Sequence, residues 1–165
     1  MDPNMRPQRP TSGPEKDLLE GFLDFQRATL LWKVSGLNDA ELRRIWVPSG
    51  TSLLGLVRHL GYVERWWFQG VFAGLDVEIP WRATPRVNEW QLATDDTAET
   101  VLGFYRAEVE QSRAITSAGS LDELARRPDR PHTLRRVLIH MIEETARHVG
   151  HADILRELTD GATGE

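Results

Sequence analysis

The chain contains no cysteine. That excludes disulfides, a cysteine nucleophile and any zinc site built on thiolates. It also agrees with a reducing, cytoplasmic setting. Lysine is scarce: of the 20 basic residues only Lys16 and Lys33 are lysines, and the rest are arginines. Arginine codons are GC-rich, so the bias hints at a GC-rich genome. A basic excess is missing as well. The net charge of −5 argues against a nucleic-acid partner held through phosphates. No apolar run is long enough to span a membrane. Strand-type alternation, internal repeats and low-complexity tracts are also lacking.

What remains is an ordinary globular composition, 40% hydrophobic and 27% charged, over 165 residues. That length suits one domain. Its start, MDPNMRPQRPTSGP, holds four prolines and no apolar stretch. It resembles neither a signal peptide nor a membrane span, and residues 1–14 are read as a disordered leader. The domain is placed at residues 15–160.

Four long helical patterns follow. The first covers about residues 15–34, with Leu18, Leu19, Phe22, Leu23 and Leu30 on one side, and ends at Ser35-Gly36. A short turn of helix is expected near residues 39–45. The second long pattern starts at Thr51 or Ser52, both good caps, and carries Leu53, Leu56, Val57, Leu60, Val63, Trp67 and Val71 at spacings of three and four. Residues 75–93 show no period, with two prolines and the tryptophans Trp81 and Trp90. Long loops of this kind in compact domains are often functional. The third pattern begins at Asp95 or Asp96, with Glu99 in a capping-box position, and the fourth runs from Thr133 to about Leu158. The expected fold is all-α, a four-helix bundle.

The fourth helix carries the chemistry. Glu144 and His148 stand four apart, and His151 three further on. At about 100° per residue these three fall within roughly 60° of one another, on the edge of the apolar stripe. Bundles supply metal ligands from one helix with this spacing. A metal needs a ligand from elsewhere too. His59 offers it, since its neighbours Leu56 and Val63 face the core. Glu64 is placed as an acceptor behind the site, a proton carrier or a rim carboxylate. An inward carboxylate needs a cation or a donor, so a purely structural Glu–His–Arg network is the rival reading. His132 is expected in a solvated loop and His140 as a packing residue. Trp66-Trp67 reads as one core residue and one neighbour at an interface.

TSLLGLVRHLGYVERWW, followed much later by LIHMIEETARHVGHADILRE, resembles the DinB-like family of metal-binding four-helix bundles over about residues 15–160. The family's HLxxxE motif corresponds to His59 through Glu64. Its HxxxH motif ends at His148, with Gly150 and His151 close behind. Glu144 occupies the first position of HxxxH, as in the related mycothiol-dependent maleylpyruvate isomerases. The resemblance implies a His59–Glu144–His148 metal triad, with His151 as alternate third ligand or neighbour. It implies one divalent metal ion, zinc or nickel ahead of iron or manganese. It also implies a thiol S-transferase using a low-molecular-weight thiol such as mycothiol, acting on an electrophile, and a homodimer. Trp81 and Trp90 would line the pocket. A metal-dependent hydrolase and a non-enzymatic stress-response binding module are the alternatives.

Overall fold

The structure is a computed structural model, which describes residues 6–83 and 89–163. Helix α1 spans Glu15–Lys33, α2 Asp39–Leu42, α3 Leu53–Glu64, α4 Pro80–Ala83, α5 Ala98–Ala118 and α6 Leu134–Asp160. Among the described residues there is no strand, only an isolated bridge between Leu124 and Thr133 in the α5–α6 connector. The long helices form the bundle: α1 packs mainly on α6, and α3 on α5.

Local chemistry sets the helix ends. Glu15 and Asp17 lie in the first turn of α1 and Lys33 in its last, each complementing the helix dipole. The Ser52 side chain accepts the Gly55 N–H and starts α3. The cap of α5 is Thr97, which exchanges hydrogen bonds with Thr100. Asp95 and Asp96 were the expected caps. The Asp96 carboxylate instead pairs with Arg58 and accepts the Ala93 N–H. Helix α6 stops at Gly161, whose φ of 77° suits glycine.

The helix beginning at α3 does not keep its winding. From Arg65 to Phe72 it is a π-helix, and Ala73 N–H reaches back five residues to the Phe68 carbonyl. The wider turn moves the inward face by one residue. A continued α-helix would carry Trp67 inward after Val63. Here Phe68 is fully buried, and Trp67 turns to the rim, its ring 4.4 Å from that of His140.

Two apolar clusters fill the bundle. One joins Leu30, Leu53, Leu56, Val57, Leu60, Tyr105, Ala152 and Leu155. The other joins Leu23, Val63, Phe68, Phe72, Leu134, Val137 and Met141. On α1, Arg27 lies between Leu23 and Leu30, where the clusters meet. It binds Glu64 with two hydrogen bonds, Nε to Oε1 at 2.8 Å and a terminal nitrogen to Oε2 at 2.6 Å. Both side chains are buried. Burial opposes the Arg27 charge, and Glu64 outweighs that and holds the guanidinium above its ordinary range.

The segment expected as a leader divides. Residues 1–5 lie outside the described residues. Residues 6–10 lie against α1: the Arg6 guanidinium stands over the Phe25 and Trp32 rings, Arg9 over Phe25, and Pro10 fills the space beside Gly21. A hydropathy pattern does not register such contacts, because arginine and proline supply them.

Candidate metal centre

Helices α3 and α6 bring His59, Glu144 and His148 together. Each offers one ligand atom, and the three atoms lie within 4.8 Å of one another. Glu144 Oε1 is the shared point. It is 3.1 Å from His148 Nε2, one turn along α6, and 3.5 Å from His59 Nε2 across the bundle. Both imidazoles are buried, with 4% and 5% exposure, while Glu144 is half-buried.

The donors fit a divalent ion. Nitrogen and oxygen ligands about 2.1 Å from one tetrahedral ion stand about 3.4 Å apart. The separations from Glu144 to the two imidazoles match that. His59 adds an independent sign: both its ring nitrogens are buried without a hydrogen-bond partner. Buried polar atoms are seldom left so. Two imidazoles and a carboxylate are borderline donors that suit zinc and its neighbours.

The rival network is visible too. Glu144 Oε2 approaches Arg147 at 3.5 Å. That contact uses the other carboxylate oxygen and sits at the exposed edge, so it leaves Oε1 to the imidazoles. His148 first, and His59 next, hold the Glu144 carboxyl well below the usual carboxylate range, against the opposing effect of burial. The group is therefore charged at neutral pH, as a metal ligand must be.

His151 falls outside this group. It is exposed, and its Nδ1 is 3.2 Å from His148 Nδ1, on the ring edge opposite Glu144. Desolvation, followed by the charge of His148, holds its pKa below the ordinary histidine value. Trp81 and Trp90 cover the site: their rings lie 5.4 Å and 4.4 Å from His59, and Trp90 is also 5.3 Å from His148. The aperiodic loop thus supplies the roof, with Trp81 on α4 and Trp90 after it. Residues 84–88 of that loop lie outside the described residues.

Other candidates go elsewhere. Glu64 is no neighbour of the site, because Arg27 holds it in the core. His140 and His132 flank Trp67 instead, and His132 is half-buried rather than solvated. One neighbour had no sequence signal: Glu89, which has no helical period and stands 3.5 Å from His59 Nδ1. A groove of about 240 Å³ lined by Val47, Ser49, Thr51, His151, Ile154 and Leu155 opens beside His151. A cavity of about 470 Å³ between residues 6–9 and helices α1 and α6 is lined by none of the triad. No helix among the described residues is long and apolar enough to cross a membrane.

No curated protein matches the chain. A similar solved structure is the crystal structure of a conserved protein from Enterococcus faecalis, with a TM-score of 0.64. The match covers 92% of this chain and 100% of that one. At 17% identity it bears on the fold alone. The family model described as mycothiol S-transferase matches residues 18–161, from the first turn of α1 to the glycine that ends α6. Over that span the chain belongs to the mycothiol S-transferase family, a DinB-like family of all-α bundles.

Proposed function

We propose that this protein transfers a low-molecular-weight thiol, mycothiol being the natural candidate, to an electrophilic small molecule, with a divalent metal held by His59, Glu144 and His148. The observation that carries this reading is one carboxylate oxygen meeting two imidazole nitrogens from two helices beneath a tryptophan roof. Family membership supports the choice of a thiol. The absence of cysteine means that the sulfur comes from a cosubstrate.

A divalent ion at such a site lowers the pKa of a bound thiol and keeps it as thiolate at neutral pH. The protein's own residues do the rest. His59 and His148 present Nε2, and Glu144 adds a negative charge. Trp81 and Trp90 exclude water from the buried side. With Nε2 given to the ion, His148 would carry its proton on Nδ1 and donate it to His151 Nδ1, 3.2 Å away. His151 is thus an outer partner of His148 and fixes its tautomer. In the reaction the S–H bond of the thiol breaks and its proton passes to solvent; the sulfur forms an S–C bond as the electrophile's carbon loses its bond to a leaving group, a halide in the bimane below, which departs with the electron pair. The groove beside His151 suits an apolar part of the electrophile.

The test follows thiol loss with purified protein, mycothiol and a halogenated bimane as electrophile, with and without added zinc or nickel. Metal-stimulated consumption is expected in the wild type and is lost in His148→Ala. Equal rates in both proteins, or electrophile consumption without any thiol, would overturn the proposal.

A further inference from the structure

Each imidazole of the triad has two edges, and the metal reading uses one. His59 Nε2 faces Glu144. The opposite edge, Nδ1, faces Glu89 Oε2 at 3.5 Å and is buried without a hydrogen-bond partner. A histidine that gives its Nε2 lone pair to a metal must carry its proton on Nδ1. That N–H then needs an acceptor, since little water reaches it. Glu89 is the acidic group at that edge. A shift of about half an ångström would bring it to ordinary hydrogen-bond length.

The segment bearing Glu89 is fastened to α3 at two points just before His59. Arg58 donates to the Gln91 carbonyl at 3.1 Å, and its Nε pairs with Asp96 at 2.9 Å. Four residues before His59, Gly55 leaves room for the Trp90 carbonyl, which a Cβ there would approach to 2.6 Å. Trp90 in turn lies on the rings of both His59 and His148. Glu89 is therefore delivered to His59 by a segment whose own seat is the helix that carries His59.

We propose that Glu89 is a positioning residue of the metal centre: its carboxylate accepts the Nδ1–H of His59, fixes the tautomer that turns Nε2 to the ion, and couples metal binding to the seating of residues 89–96. The inference rests on His59, Glu144 and His148 being the ligands. Coupling is reciprocal, so metal seats the segment and a seated segment tightens the metal.

The experiment measures the zinc dissociation constant by competition with a chromophoric chelator, and tryptophan emission on zinc addition, in wild type, Glu89→Ala, Glu89→Gln and Glu78→Ala. Glu78 is exposed before α4 and removes the same charge without touching His59. Glu89→Ala is expected to weaken zinc about 10- to 100-fold, the usual effect of losing such an outer partner. Its metal-free melting temperature should stay unchanged, and its zinc-induced change in emission should shrink. Glu89→Gln keeps an acceptor oxygen and should fall between. Zinc affinity in Glu89→Ala within twofold of wild type, or an equal loss in Glu78→Ala, would overturn the role of Glu89 and leave the metal site standing. Should Glu89→Ala fold poorly, Glu89→Gln decides: affinity equal to wild type with unchanged emission overturns the proposal. A wild type that binds no zinc at all would overturn the metal reading and this inference with it.

Discussion

Glu144 turns one carboxylate oxygen to a nitrogen of each imidazole, and its charge sets the acid behaviour of the site. Its carboxyl is held below the ordinary range by His148 and then His59. A depressed folded pKa contributes stability that is fully present above the unfolded value, about 4.3 for glutamate. That stability is lost as pH falls through the lower folded value. In metal-free protein, Glu144→Gln should therefore flatten the loss of stability below about pH 4. Urea midpoints across pH for both proteins check this; parallel acid limbs would contradict it. The buried pair makes a second residue-scale case. Removing one partner of a buried ion pair strands the other and costs about 3–5 kcal/mol. Glu64→Ala should thus lower the melting temperature by on the order of 10 °C. Zinc stoichiometry should not change, because Glu64 spends both oxygens on Arg27.

The helices show what a sequence can and cannot announce. His59 facing inward, and Glu144 with His148 on one side of α6, follow from 3.6 residues per turn alone. Ser52, one of the two caps expected for α3, is legible from local chemistry too, since its hydroxyl can accept a first-turn N–H. The π segment was not. Its extra residue per turn put Phe68 in the core where Trp67 was expected, and periodicity rests on the winding that changes there. The Thr97 cap was missed because Asp96 is claimed by Arg58, 38 positions back along the chain. Arg27–Glu64 and Glu89–His59 are likewise long-range contacts with no local pattern. They depend on the assembled bundle, in which Arg27 of α1 reaches across to Glu64 of α3, and on the path of the loop. That path depends on Gly55. Alanine there would drive a Cβ into the Trp90 backbone carbonyl, which cannot yield as a side-chain tip can. Gly55→Ala should cost about 1–3 kcal/mol as overpacking does. It should also blue-shift or red-shift tryptophan emission by unseating Trp90. Stability and emission both at wild-type values would contradict the close approach.

The bundle as a whole does not depend on the candidate metal centre for a core. Both apolar clusters are built without His59, Glu144 or His148, and they span all four long helices. Small zinc domains that unfold when stripped have no such reserve. Burying one leucine contributes about 1.5–3 kcal/mol, and some ten leucines here have almost no exposure, so folding is driven by apolar burial. A metal ion bound at the candidate centre would add stability by mass action, about 2.7 kcal/mol at a hundredfold excess over the dissociation constant. Chelated protein should accordingly keep its full far-UV helical signal and cooperative melt. Its melting temperature should drop by on the order of 5–10 °C and recover on adding zinc. The drop should vanish in His148→Ala, which has no site to empty. Helicity collapsing on chelation would mean that the ion organises the bundle, and a melting temperature indifferent to zinc in the wild type would return both buried histidines to the core.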